Sequence, residues 1–374
     1  MKVIHVIPFL WSGAGRVLTD LCISQSTHHD VTVVTSGNAK GMSDWPFYRR
    51  RLSANGIEHR RIDFFDRDPA VYWKSVRQLA DCVSLIRPDV VHCHSGVPTC
   101  AAATVRDANP GSFRLISQLH SWGNGRPEWM NTMDISGFNR SDLIIANAAS
   151  YRRILVNAGV EKNRIVSLPW GVAPEALEEV PLMRRDSGRI GFVGRIEPRK
   201  GQLDLVEAFD LLRRKRPSLR LELLGPAADV AYVREIEKMI RVQRMSNCVW
   251  LGGQVRNVYR HERNWDLFVS MSNDEGQGMA ILEAMALGVP VVARNCPGVQ
   301  DYLRDGKNAI ALKSDSARTV AQTMQWALDH PEATLKLSVK AREMVRNTYA
   351  WERTVLGMET IYGIWEDSGL ASNG

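Results

Sequence analysis

Apolar residues along this chain fall into short blocks, separated by longer stretches in which they recur every three or four positions. In the first half the blocks are residues 3–7, 31–35, 90–92, 115–118 and 143–146. Blocks of this length, rich in Val, Ile and Leu, predict buried strands. Residues 15–24 and 71–86 carry the helical period between them. A further short run, 165–168, ends at Pro169-Trp170-Gly171-Val172. Strand–helix alternation predicts βαβ units and a parallel sheet. From 173 to 188 the pattern fades into Glu, Arg and Pro, as a linker would. It then restarts, with strands predicted at 190–193, 220–224, 249–251, 267–270 and 289–293. Helices are predicted at 202–214, 230–241, 280–287, 316–329, 332–349 and from about 351 to 365. The pattern therefore predicts two α/β domains, 1–172 and 188–350, and a crevice between them, a favoured place for ligands.

Composition adds bounds to this picture. At 374 residues the chain is long enough for two cores, and 44% hydrophobic with 24% charged residues is ordinary for a globular protein. The formal charge of +7 favours anionic partners such as nucleotide phosphates, an anionic membrane surface or nucleic acid. Nothing further in the chain points to nucleic acid. The basic runs Arg49-Arg50-Arg51 and Arg213-Arg214-Lys215-Arg216 read as solvated surface, with membrane docking as the lesser alternative. The six cysteines show no C-x-x-C pair or zinc spacing and are expected to be free thiols in a reducing compartment. The apolar start is interrupted by His5 and Pro8 and reads as a first strand, not a signal peptide. No run approaches the about 18 apolar residues that span a bilayer. A cytoplasmic protein is expected, with peripheral membrane attachment left open.

Three stretches carry candidate chemistry. Trp11-Ser12-Gly13-Ala14-Gly15-Arg16 lies between the first strand and the first helix, where glycines and a helix N-terminus favour phosphate. It holds only part of a dinucleotide fingerprint, because Leu18 stands where a third glycine belongs. A tight turn is the plain alternative. Phe192-Val193-Gly194-Arg195-Ile196-Glu197-Pro198-Arg199-Lys200-Gly201 starts at the end of a strand, so Arg195 and Lys200 can converge on one anion. Arg199 is expected to face solvent. In Asp274-Glu275-Gly276-Gln277-Gly278-Met279 followed by the apolar helix containing Glu283, two glutamates stand eight positions apart. Carboxylates suit sugar and ribose hydroxyls, and a carboxylate in an apolar helix is expected to be buried with partners.

Gly194-Arg195-x4-Lys200-Gly201 with Glu275-x7-Glu283 resembles the retaining glycosyltransferases of family 4, which have the GT-B fold of two Rossmann-like domains facing across a cleft. The likeness covers nearly the whole chain. It extends to the Gly13-Ala14-Gly15 loop, Asp89-Val90-Val91-His92-Cys93-His94-Ser95, Leu168-Pro169-Trp170-Gly171-Val172, Leu251-Gly252-Gly253-Gln254-Val255 and Tyr349-Ala350-Trp351-Glu352. The resemblance implies that Arg195 and Lys200 bind the donor diphosphate, with Gly13 closing on it from the other domain. Glu275 would contact the donor sugar and Glu283 the ribose. The amides around Gln277, Gly278 and Met279 would line sugar and phosphate, and Gly253 and Val255 would lie near the base. His120, in Gln118-Leu119-His120-Ser121-Trp122, resembles the family's active-site histidine. A terminal helix over 352–367 would pack back on the first, acceptor-side domain. Gln277 stands where family members often have Phe, and Trp170 where Asn is usual.

The expected activity is therefore metal-independent, retaining transfer of a hexosyl group from a nucleotide-sugar to an acceptor hydroxyl, in envelope polysaccharide or glycolipid synthesis. Its catalytic residues would be His120 and Glu275, with no cofactor. Other activities remain open: a GT-B sugar-nucleotide 2-epimerase, an NAD-dependent oxidoreductase, or a binding module without catalysis. His92 and His94 form a conceivable metal pair, but no third ligand stands at a useful spacing. One is expected on the buried strand, and His94 to face the cleft. Asp66-Arg67-Asp68 is a literal D-x-D without the context that would give it meaning. Trp45, Trp122 and Trp129 are candidates for an acceptor platform.

Overall fold

The computed structural model describes residues 1–36, 45–63, 69–120, 128–178 and 187–363. The chain divides into two compact units: Met1–Pro169 with the segment that starts at Thr354, and Trp170–Arg353. Asp66-Arg67-Asp68, Trp122 and residues 364–367 of the expected terminal helix lie outside the described residues.

The first unit is built on a sheet of seven strands: β1 (Lys2–Val6), β2 (Asp30–Ser36), β3 (Glu58–Ile62), β4 (Val90–Cys93), β5 (Arg114–Leu119), β6 (Leu143–Ala146) and β7 (Ile165–Ser167). Their spatial order is β3-β2-β1-β4-β5-β6-β7, all neighbours parallel. The central strand β5 is buried along its whole length, and its polar residues Arg114, Ser117 and Gln118 are each hydrogen-bonded there. Ile4, Val6, Val34, Val91 and Leu115 pack with Ala101, Ala102 and Ala103 of the helix Gly96–Ala108. The terminal helix Trp351–Gly363 is tied to this unit: Arg114 donates to the Ile361 carbonyl (2.7 Å) and Thr354 to that of Pro169 (2.9 Å).

The second unit has six parallel strands: β8 (Arg189–Val193), β9 (Arg220–Leu224), β10 (Val249–Gly253), β11 (Leu267–Ser270), β12 (Val291–Arg294) and β13 (Ile310–Leu312). Their order is β10-β9-β8-β11-β12-β13. Both sheets are doubly wound and Rossmann-like. The strand order reverses between β1 and β4 in the first and between β8 and β11 in the second. Chains leaving the carboxyl ends of such strand pairs part to opposite faces, and the opening they leave holds ligands.

Several expectations need correction. The first helix spans Ser12–Gln25, so Gly13 and Gly15 belong to its first turn and not to a loop. A Cβ at Gly15 would lie 2.5 Å from the Leu10 carbonyl carbon, so close approach of the backbone requires a glycine there. The linker contains a short helix, Pro174–Leu177. The strand expected from 289 begins at Val291, because Val289 still donates to the Ala284 carbonyl of the preceding helix and Pro290 has no N–H to give to the ladder.

Candidate functional site

The second unit gathers its charged residues at the reversal point. β8 ends at Val193, and the chain passes through Arg195 and Glu197 into the short turn Pro198–Lys200. Gln202, buried at the next helix start, donates to the Arg195 carbonyl (2.7 Å) and fastens this loop. The chain leaving β11 runs alongside: Asn273 donates its amide to the Arg199 carbonyl (3.0 Å). As a result Lys200 Nζ lies 2.5 Å from Glu275 Oε1, with only 10% and 16% of the two side chains exposed. Arg195 pairs with Glu197 (3.0 Å), and Arg199 with Glu197 (3.0 Å) and Asp274 (3.2 Å). Three cations thus face three carboxylates at the ends of the two strands.

This charge balance sets the ionisation of the group. Burial alone would raise the Glu275 carboxyl, but the Lys200 charge and hydrogen bond, with Ser272 and Arg199, hold it below the usual carboxylate range. Burial lowers the Arg195 guanidinium against the support of Glu197. It stays a cation, since an arginine is not deprotonated in a protein. Arg199 was expected in solvent. It is half-buried instead, because Glu197 and Asp274 offer it acceptors on two sides; desolvation opposes its charge, but the attraction of Glu197, Glu275 and Asp274 together outweighs it and raises its pKa.

The helix Met279–Ala286 follows, entered through Gly278 in the left-handed region (φ 76°). A side chain at 278 would be strained there, and its Cβ would meet the Tyr302 hydroxyl at 2.7 Å. Glu283 is buried in this helix as its apolar setting suggested, and Tyr259 donates to its Oε1 (3.3 Å). Met279 is partly buried against the apolar core. The Gln277 side chain is not open to a ligand. Its Oε1 accepts from the Trp170 amide and its Nε2 donates to the Trp170 carbonyl, both at 2.7 Å. Only the backbone at 277 is left for a ligand. Gly253 ends β10 with φ 60°, its carbonyl taken by the Gly225 amide (2.7 Å), and Val255 is half-buried against the core.

In the first unit Gly13 is exposed, with open space where a side chain would project. His120 follows β5 and is half-buried. Its Nε2 lies 3.2 Å from Nδ1 of His94. His94 was expected to face the cleft, but it is 2% exposed, enclosed by the imidazoles of His5, His92 and His120. The third imidazole that the spacing did not reveal is His5, on β1 beside β4, at 2.9 Å from His94 Nε2. Among the described residues His5, His92 and His94 are the group whose ligand atoms approach closely enough for a metal, all within 4.8 Å of one another. Burial lowers the pKa of each, to about 4 for His5, and to about 4 for His120. Trp129 is exposed, and Trp45 packs tilted against Phe47 and edge-on against Tyr48. The basic runs are only partly solvated: Arg213 and Arg214 share the buried Asp210, and Arg51 reaches Asp20 (2.6 Å). All six cysteines are buried and free. Among the described residues no helix is long and apolar enough to cross a membrane.

Comparison with known proteins bears on this geometry. The family described as Glycosyltransferase Family 4 matches residues 11–176, and that described as Glycosyl transferases group 1 matches residues 175–344. EpsD of Bacillus subtilis, named as a glycosyltransferase, is 26% identical over 352 residues, 88% of each chain. The capsular polysaccharide biosynthesis glycosyltransferase CapM of Staphylococcus aureus is 22% identical over 240 residues, 61% of this chain and 63% of its own. The structure of HepE from Anabaena in complex with UDP-glucose superposes with a TM-score of 0.84 at 18% identity, covering 97% of this chain and 100% of that one. Sucrose-phosphate synthase from Thermosynechococcus elongatus gives 0.82 at 18%, covering 99% and 100%.

Proposed function

We propose, given that this chain belongs to glycosyltransferase family 4 and is a glycosyltransferase with the GT-B fold, that it moves a hexosyl group from a UDP-sugar to an acceptor hydroxyl with retention of configuration and without a metal. The observation that carries the reading is the contact of Lys200 with Glu275 at the strand reversal, with Arg195 beside them. A pyrophosphate takes Lys200 and Arg195 as its cations, and the released Glu275 accepts from sugar hydroxyls. Glu283 holds the ribose, and the backbone amides of residues 277–279 face sugar and phosphate. Fixed charges of this kind act where charge grows on the leaving group, which is the largest contribution in most such reactions.

In the proposed step the acceptor oxygen bonds to the anomeric carbon on the face from which the phosphate leaves. The carbon–phosphate oxygen bond breaks, and the acceptor proton passes to the departing phosphate oxygen. UDP as the nucleotide is supported by the UDP-glucose complex of HepE. A polysaccharide acceptor is supported by the name of CapM, a capsular polysaccharide biosynthesis glycosyltransferase. A glycolipid acceptor and work at the cytoplasmic membrane face as a peripheral protein are further parts of the proposal. The test is calorimetric titration of UDP, GDP and ADP in the presence of a chelator. UDP should bind preferentially, and Lys200→Ala should weaken it about 10- to 100-fold, the worth of one charge-assisted bond. Equal affinity for all three, or binding abolished by the chelator, would count against the reading.

A further inference from the structure

We propose that Gln25, His5 and His94 form a positioning chain that fixes His120 as its Nε2–H tautomer, with the ring's lone pair on Nδ1. The chain starts at an amide oxygen. Gln25 Oε1 lies 2.8 Å from His5 Nε2, and an oxygen of this kind only accepts, so the His5 proton sits on Nε2. Burial keeps these rings neutral, and the neighbouring imidazoles disfavour a charge on His94 further, so each carries one ring proton. His5 Nδ1 is then a lone pair, and at 2.9 Å it requires a proton on His94 Nε2. His94 Nδ1 is in turn a lone pair, and at 3.2 Å it receives the proton of His120 Nε2. Each link allows one direction once the first is set.

The rings cannot easily turn away from this arrangement. Gln25 and His5 are fully buried and His94 nearly so. His94 stacks on His92 with ring centres 4.3 Å apart, and His92 is held by the Tyr362 hydroxyl at 2.8 Å. His94 donates its own amide to the Val6 carbonyl (2.8 Å), which fixes its backbone beside β1. The same contacts explain why buried histidines occupy neighbouring strands at the reversal point instead of aliphatic residues. A buried polar group is retained at a cost unless it is hydrogen-bonded; here the His5–His94 and His94–His120 links each serve two rings, and Gln25 serves the outer nitrogen of His5.

The inference rests on the reading that His120 meets a substrate hydroxyl, and the tautomer can be measured with no substrate present. Long-range proton–nitrogen correlation spectra of the full chain labelled with 15N-histidine should show His120 with its proton on Nε2. His94→Leu should leave the two tautomers of His120 mixed and lower kcat about tenfold with little change in donor KM. His94→Asn, whose Oδ1 can take the His120 proton, should restore both the spectrum and most of kcat. Gln25→Leu, at the far end, should also mix the tautomers, which keeps the test open if His94→Leu does not fold. A His120 proton on Nδ1 in the unaltered protein, an unchanged tautomer in these variants, or a stoichiometric metal bound by His5, His92 and His94 would overturn the proposal. A fixed tautomer with no loss of kcat on replacing His120 would instead sink the role assigned to His120 and leave the chain standing.

Discussion

Glu275 joins the ionisation of one side chain to the stability of the fold. Its folded pKa lies below the ordinary value of 4.5, because Lys200 and its hydrogen-bond partners outweigh desolvation. The unfolded chain therefore binds more protons than the folded one between those two values. The stabilisation is complete above 4.5 and is lost as pH falls through the folded pKa. Glu275→Gln should thus flatten the acid limb of a plot of Tm against pH below about 5 and lower Tm at neutral pH, where the unpaired Lys200 stays buried. An unaltered acid limb would refute the coupling. At this scale Arg195, Lys200, Glu275 and Glu283 were legible because each follows a strand end or lies in an apolar helix. Arg199 and His5 were not. Arg199 finds Asp274 from a distance of 75 residues along the chain, and His5 finds His94 from 89, so local pattern carries no trace of either pairing.

Gln277 shows how a single element depends on a distant backbone. The turn that leads into Met279–Ala286 is pinned by two hydrogen bonds to the peptide groups of Trp170, whose ring stacks on Trp351 at 6.3 Å. Gln277→Phe would restore the residue common in the family but leave the Trp170 N–H and C=O without these partners. Each buried polar group left unmet costs about 1–3 kcal/mol, so a loss of about 2–6 kcal/mol is expected in urea denaturation. A loss below about 0.5 kcal/mol would show that the pairing contributes little. Element boundaries were legible for the central strands and for the longer helices of the second unit, while the helices Pro46–Ala54, Glu128–Asn139 and Ala149–Asn157 of the first were missed. β3 was missed because Glu58-His59-Arg60-Arg61-Ile62 is an edge strand with one pairing partner, and charged residues are tolerated there. β13 was missed because it is three residues long at the other sheet's edge. The helix Gly96–Ala108 was missed because its small residues are buried on nearly all sides, which erases the amphipathic period.

For the whole molecule, the two-part architecture was legible because α/β alternation stops and restarts around the linker, and no side-chain detail is needed to see that. The sequence pattern could not show that each sheet reverses its strand order where the histidines and the ion pairs lie, since strand order depends on the hands of the crossovers and on pairings far apart in the chain. Every sulfhydryl is enclosed, and enclosure raises each thiol pKa, to about 12 for Cys100 and Cys296. Four of them, Cys22, Cys82, Cys93 and Cys100, lie in the first unit, and Cys248 and Cys296 lie in the second. An alkylating reagent at about pH 8 should therefore leave the native protein unmarked, since only the thiolate reacts. In rising urea, mass spectrometry should find added labels in blocks of four or two if the units melt separately, and of six if they melt together. Native enzyme that gains single labels would contradict that enclosure. The cysteines thus act as an internal tally of which half of the enzyme has opened.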